Sequence, residues 1–299
     1  MSDGISIIIP TLNRGAQISV SAARLAAALG PSDELIIVDQ TDNPDVATRD
    51  LYRKLVQDAR VHIWYSAVKS SGIARNTGAA LAHNDILLFW DDDLEPLDDV
   101  LERHRQYHAQ LRGRFVGVAG CYEGNYVVHP KGRARAWNFA AGHVSIQRSA
   151  FFKAGGFNRN FIYPFIPEDY ELHVRLAGLG QDLVPALDCR GYHAVVVGLS
   201  CGSEQSDAWY AGVVHNHVYS FYNTLWTRRF SPSGCLAAAH LMYTLFRYMF
   251  PLRLFRYKHL RSLFWREWFH GWRTFRTAPR PEVEIPQGAL VEWTTRFRE

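Results

Sequence analysis

Asp85-Ile86-Leu87-Leu88-Phe89-Trp90-Asp91-Asp92-Asp93-Leu94-Glu95-Pro96 decides how this chain is read. Five consecutive apolar residues run straight into three adjacent carboxylates. A strand that is apolar at every position is buried on both faces, as in a parallel sheet covered by helices on each side. Near-continuous runs of the same kind stand upstream at Ile5–Pro10, Glu34–Asp39 and Val61–Tyr65. Segments of helical character, Ala16–Leu29 and Gly72–Ala82, separate them. Alternating β and α segments give an α/β fold, a mostly parallel, Rossmann-like central sheet flanked by helices. In such a sheet ligands collect beyond the carboxyl ends of the strands, so the chemistry is sought there.

Three of those ends are polar: Pro10-Thr11-Leu12-Asn13-Arg14, Asp39-Gln40-Thr41-Asp42-Asn43 and Asp91–Pro96. If the strands are parallel neighbours, an isolated acid, a small polar loop and a triple carboxylate face one crevice. Three adjacent carboxylates repel one another unless a cation sits among them. Oxygen ligands favour a hard divalent ion, Mg²⁺ or Mn²⁺, with positions left for substrate phosphates. A solvated acidic loop is the competing reading. Asp98 and Asp99 suit a helix start before Val100-Leu101-Glu102, whereas Asp91–Asp93 come earlier, directly off the strand.

Composition sets the outer bounds. Of 299 residues 47% are hydrophobic and 21% charged, which excludes a disordered or collagen-like chain. The net charge of +4 is unevenly spread: Trp226–Arg280 holds eleven Lys/Arg against one acid, Glu267, leaving −6 on the rest. That basic stretch is also rich in Trp, Phe and Tyr. Arg247, Arg253, Arg256, Lys258 and Arg261 interrupt every stretch approaching the ~20 apolar residues that a bilayer span needs. The longest uncharged run, Ala208–Thr227, carries His215, Asn216, His217 and Asn223. Strand Ile5–Ile9 begins without a basic leader, so a cytoplasmic chain is expected. Cys121, Cys189, Cys201 and Cys235 are widely spaced and read as reduced core thiols.

Six motifs in order now carry a family resemblance: Pro10–Arg14, Asp39 after Ile36-Ile37-Val38, Gly72-Ile73-Ala74-Arg75-Asn76-Thr77-Gly78, Asp91–Asp93, Gly155-Gly156-Phe157, and Glu168-Asp169 with Arg175-Leu176. Over about Ile5 to Val197 the chain resembles an inverting family 2 glycosyltransferase of GT-A fold. The resemblance implies a catalytic domain over residues 1–205 and leaves 206–299 as a C-terminal, basic, aromatic helical extension. It implies that Pro10, Thr11 and Asn13 line a nucleotide pocket, that Asp39 accepts hydrogen bonds from a uracil or thymine base, and that Arg75 helps hold the nucleotide. Asp91 and Asp93 match the family's Asp-x-Asp motif, the first near the ribose and also a candidate metal ligand, the second on the metal, with Asp92 between them a candidate contact to the nucleotide sugar. A cation there offsets charge developing on the leaving nucleoside diphosphate. One departure is Gln40, where the family commonly has a second acid; an amide donates as well as accepts.

Direct displacement by a sugar hydroxyl needs a general base on the face opposite the leaving group. Glu168-Asp169, ahead of helical Tyr170–Leu179, supplies two carboxylates at a helix N-terminus, where acids also serve simply to cap and to offset the dipole. The dipole by itself holds a carboxyl's pKa down. The resemblance aligns the base with Asp169 and leaves Glu168 to orient the acceptor or the loop. His193, after the β-like Leu183–Leu187, completes the metal shell in some relatives, and is otherwise a core histidine. His143 is expected on the acceptor side of the crevice. His215 and His217, two apart on a helix, face different ways. Gly155-Gly156-Phe157-Asn158 reads as a helix-ending turn.

Between Pro251 and Arg276 a helical projection sets Lys258, Arg266, Arg273 and Arg276 against Tyr257, Leu260, Leu263, Phe264, Trp268 and Phe275. That is the pattern of a helix lying in a membrane interface, or of a layer packed on the catalytic domain with solvated arginines. The expected partners are a nucleoside-diphosphate sugar, UDP- or dTDP-linked, a glycan or lipid-linked acceptor in cell-surface polysaccharide assembly, and the inner face of the cell membrane, with the chain peripheral to it; nucleic acid is not expected. Two enzyme alternatives lack their loops after the first strand. A sugar-nucleotide pyrophosphorylase wants a Gly-rich basic loop, and a dinucleotide oxidoreductase wants Gly-x-Gly-x-x-Gly. A catalytically inactive membrane-associated scaffold of the same fold is the non-enzyme alternative.

Overall fold

β1 (Ile5–Thr11) is buried at every position, as its composition requires, because it lies at the centre of a sheet covered on both faces. The structure, a computed structural model, describes residues 4–15, 17–97, 99–124, 140–164, 166–193, 206–249, 258–285 and 288–296. After β1 come α1 (Gln17–Ala28), β2 (Glu34–Asp39), α2 (Val46–Leu55), β3 (Val61–Ser66), α3 (Ser71–Leu81) and β4 (Ile86–Trp90). These strands form a parallel block in the order β4-β1-β2-β3. Next follow β5 (Leu94–Pro96), α4 (Val100–Gln110), β6 (Phe115–Gly124), β7 (His143–Gln147), α5 (Arg148–Lys153), α6 (Glu168–Gly178) and β8 (Asp182–His193). They extend the sheet beyond β4 in the order β7-β6-β8-β5, with β6 and β8 parallel and the other pairings antiparallel.

Two cores follow from the two faces of the sheet. Ile5, Ile7 and Ile9 pack with Ile18, Ala22 and Leu25 of α1, Tyr52 of α2 and Leu101 of α4. Ile8, Ile36, Val38 and Phe89 pack on the other side with Ala74 of α3, Phe151 of α5 and Leu172 of α6. Each fully buried Ile or Leu there contributes about 2 kcal/mol by transfer from water. α3 approaches β1 so closely that a Cβ at Gly78 would stand 2.4 Å from Ile8 Cγ2, which accounts for the second glycine of the Gly72–Gly78 motif.

The remaining chain forms α7 (Asp207–Thr227), α8 (Pro232–Met249), α9 (Lys258–Thr277), β9 (Leu290–Glu292) and α10 (Trp293–Arg296). α7 packs against α6 and is flanked by α8 and α9. Its histidines separate as expected: His215 Nε2 meets Thr274 Oγ1 at 2.9 Å, and His217 Nδ1 donates to Val213 O at 2.8 Å. The expectation of a purely helical extension changes at its end. β9 pairs antiparallel with β3, and Trp293 is buried edge-on to Tyr52 at 5.4 Å. The pairing covers β3's otherwise open edge, and three residues are too few for a strand period to show in sequence. Among the cysteines, Cys121 and Cys189 are buried but Cys235 is exposed, against the core reading; Cys201 lies outside the described residues.

Candidate active site

The parallel block brings the ends of β1, β2 and β4 side by side, as the sequence reading required. Asn13, with φ of 55°, turns the chain after β1, and its backbone N–H donates to Thr41 Oγ1 at 2.8 Å. Asp39 is buried; its carboxylate accepts from Thr41 N at 2.8 Å and from the Tyr52 hydroxyl at 3.1 Å. Burial raises its pKa, against the pull of those bonds. Thr11, Asn13, Arg14, Asp39, Thr41 and Tyr52 help line a cavity of about 290 Å³. Gln40 faces elsewhere: its Nε2 donates to the carbonyls of Val68 and, at 3.1 Å, of Ser70. An amide donor pins the loop before α3 in a way no carboxylate can.

β4 delivers Asp91, Asp92 and Asp93 to three different sets of partners. Asp91 accepts from Arg75 Nη2 at 2.8 Å and from the Tyr122 hydroxyl at 3.1 Å. Gly142 passes so close that a Cβ on it would lie 1.8 Å from Asp91 Oδ2. Asp92 is buried beside Arg14 Nε at 3.2 Å and also bonds Thr11. Burial, partly opposed by Arg14 and reinforced by Asp93, pushes its pKa up to about 7. Asp93 lies 3.2 Å from Arg14 Nη2 and 3.3 Å from His193 Nε2. Burial works against its charge, but His193 and Arg14 prevail and its pKa is lowered, while that of His193 is raised mainly by the bond to Asp93.

Strand register explains this last pair. β5 runs antiparallel to β8 with Leu94 opposite His193, which sets the histidine beside Asp93 across 100 positions of sequence. Tyr122 stacks on the His193 ring at 5.7 Å and 9°. Among the described residues, no group of three or more His, Cys, Asp or Glu is arranged to hold a metal ion. The donor chemistry nevertheless fits: one carboxylate and one imidazole converge, and Mg²⁺ or Mn²⁺ commonly takes its remaining ligands from substrate phosphates.

The second acidic pair is divided by Arg75. This buried guanidinium, 5% exposed, reaches from Asp91 to Glu168 and lies over the Phe157 ring at 5.3 Å. Burial disfavours its charge, yet the carboxylates of Glu168 and Asp91 outweigh that and hold it firmly protonated. Glu168 also accepts from Ser71 Oγ at 3.1 Å. Asp169, its neighbour at the start of α6, bonds the Tyr170 backbone N–H at 2.7 Å, and among the described residues no side chain bonds to it. The helix dipole was expected to hold its pKa down. Burial, with Asp91's charge adding to it, raises it instead.

One sequence expectation for this region changes. His143 does not line the crevice: it is fully buried, with Nε2 at 3.2 Å from His104 Nε2 and Nδ1 at 3.2 Å from Cys121 O. β7 pairs with β4 so that His143 sits opposite Trp90, and Gly120 leaves the ring its space. Gly155 and Gly156, with φ of 83° and 64°, end α5 in the turn read from the sequence, and a Cβ on Gly155 would lie 2.1 Å from Pro281 O. Asn76 fastens this turn to α3, its Nδ2 donating to Phe157 O and its Oδ1 accepting from Phe157 N, each at 2.8 Å. Arg14, Tyr52, Ser71 and Tyr122 were not assigned roles from sequence. Arg14 stood inside the first motif, whereas Tyr52, Ser71 and Tyr122 carried no local signal.

A sheet whose parallel block ends in a cavity and a cluster of carboxylates bridged by arginines is the arrangement of a GT-A glycosyltransferase fold. The chain belongs to glycosyl transferase family 2, whose sequence pattern matches residues 6–161. Solved structures of the same fold include S. aureus TarS 1-349 in complex with UDP-GlcNAc, similar over 91% of this chain and 80% of that one at 14% identity, with a TM-score of 0.70. Mannosyltransferase PcManGT from Pyrobaculum calidifontis, in complex with GDP-Man and Mn2+, is similar over 91% of this chain and 87% of that one at 16% identity, with a TM-score of 0.54. No curated protein matches the chain.

Proposed function

We propose that this chain transfers a sugar, with inversion, from a UDP- or dTDP-sugar to a hydroxyl of a glycan or lipid-linked glycan in cell-surface polysaccharide assembly. The observation that carries the reading is the unequal state of the two acids at the start of α6. Glu168 is occupied by Arg75 and Ser71, whereas Asp169 is left with one backbone bond and a raised pKa. A general base needs an oxygen free to take a proton and a pKa above the ordinary carboxylate value. Asp169 has both, and inversion follows from a base acting opposite the leaving group.

Each remaining residue has a task on this reading. Thr11 and Asn13 shape the nucleotide cavity, whose lining does not include Pro10, and Asp39 accepts from the base. Arg75 keeps Asp91 and Glu168 in place, and Asp91 faces the ribose. Asp93 and His193 would hold the Mg²⁺ or Mn²⁺ ion, which supplies charge to offset the departing diphosphate. Arg14, paired with both Asp92 and Asp93, relieves the repulsion within the triple carboxylate. The solved neighbours bind two different nucleotide sugars, UDP-GlcNAc and GDP-Man, which supports a sugar-nucleotide donor as a class.

The test is direct binding. UDP- and dTDP-sugars are titrated into the chain with Mn²⁺ present; at least one should bind, and Asp93→Asn or a chelator should weaken it more than tenfold. If no sugar nucleotide binds in the presence of metal, the reading fails.

A further inference from the structure

We infer that the outward face of α9, with the basic groove beside it, is a docking surface for an anionic lipid bilayer. The helix buries Leu260, Leu263 and Phe264 against α7, and Gly271 lets the helices close in, since a Cβ there would lie 2.5 Å from His215 O. The apolar arc expected to meet lipid is therefore largely used inside the protein; Tyr257, Arg253 and Arg256 lie outside the described residues. What faces outward is a different strip. Trp265, Phe269 and Trp272 are 58%, 63% and 38% exposed. At 3.6 residues per turn they fall on one line with Arg261 and Arg276, and Arg266 and Arg273 border it. All four arginines are exposed, while the helix's one acid between Arg261 and Arg276, Glu267, is buried next to Arg266 and His270.

Three large aromatics standing in water need a partner, and their flanking charges say which. A face with four arginines and no exposed acid complements an anionic surface and repels a second copy of itself. Indole and phenyl rings enter the headgroup boundary while guanidinium groups meet lipid phosphates. Among the described residues no helix is long and apolar enough to cross a membrane, so the contact is interfacial.

A second observation points the same way. Arg276, whose guanidinium lies 5.1 Å over the Trp272 ring, also lines a groove of about 900 Å³ between α5, α6 and the α7–α9 layer. Lys153, Arg229 and Arg280 line it too, with Glu282 the one acid besides. Among the described residues none of Lys153, Arg229, Arg276 and Arg280 pairs with a carboxylate. A lipid phosphate reaching from the bilayer surface finds cations waiting there.

This surface is independent of the donor crevice, so its test does not rest on sugar transfer. Flotation is measured with vesicles of phosphatidylcholine alone and of phosphatidylcholine mixed with phosphatidylglycerol. The chain should float with the mixed vesicles only, less so as salt rises, with a blue shift in tryptophan emission. Arg261→Gln with Arg273→Gln should weaken binding about 30-fold, at about fivefold per arginine near an anionic surface. Trp265→Ser with Phe269→Ser and Trp272→Ser should abolish flotation. Both variants should keep the far-ultraviolet dichroism and thermal midpoint of the parent, because every altered side chain points away from the core. Absence of flotation at low salt, or undiminished flotation of the aromatic variant, overturns the inference. So does a parent chain that is dimeric without lipid and becomes monomeric in that variant, which would assign the face to a second copy.

Discussion

Arg75 is the residue on which the two halves of the site hang. Replacing it with Met leaves the Asp91 and Glu168 carboxylates without their shared cation. We expect a loss of about 3 kcal/mol in urea-unfolding free energy, the usual consequence of breaking a buried pair on one side. Asp169 makes a kinetic prediction. Its proton must be absent for it to act as base, and its folded pKa lies above the ordinary value of about 4. Turnover should therefore climb with pH on an acid limb displaced upward from that value, and a limb at or below 4 would remove Asp169 from the role. Asp39, Asp91 and Asp93 were legible because each follows an apolar strand. Tyr122's bond to Asp91 was not, and the Asp93–His193 pair was reached only through the resemblance, since both arise from strand register between distant segments.

Among the elements, the β4–β7 junction is the least forgiving. Gly142→Ala puts a methyl group into the Asp91 carboxylate. Donor affinity should fall at least tenfold, and titration of the donor that binds the parent chain checks it; unchanged affinity would detach Asp91 from the donor site. The four parallel strands, and α1 and α3 of the helices between them, were readable to within one residue, because continuous burial leaves an unbroken apolar run; α2 was not read. β9 and α10 were not readable, being too short for either period. Trp293, which anchors them on Tyr52, is nevertheless fully packed. Trp293→Ala should cost about 4 kcal/mol, measurable by urea unfolding. A change below 1 kcal/mol would make the C-terminal strand an ornament of the sheet and not part of its core.

Across the whole molecule, buried histidines set the acid limit of stability. His108, Ser145, His104, His143 and Cys121 O form one buried hydrogen-bonded chain. Burial holds His143 down to about 3 and His108 and His217 down to about 4, with His104 also well below its ordinary value. The folded chain keeps these rings neutral, while the unfolded chain protonates them below about 6.5. Their contribution is thus full above that pH and is lost as pH falls toward 4. Each removes about 1.4 kcal/mol of stability per pH unit in that window. His143→Asn should flatten the pH slope of the urea-unfolding free energy by one such increment; an unchanged slope would mean that His143 is protonated in the fold.

The uneven charge, acidic at the crevice and basic along α9, fits a catalytic body held at an anionic surface. The catalytic claim at its centre is that Asp169 removes the acceptor's proton while Asp91, Asp93 and Arg75 serve the donor. It is tested most directly by measuring donor affinity and nucleoside-diphosphate release side by side for Asp169→Asn, with Mn²⁺ and the best-bound sugar nucleotide. The account predicts donor affinity within twofold of the parent and release, to acceptor or to water, reduced by about 10²-fold or more. Release at the parent rate, or donor affinity lost in step with it, would contradict it.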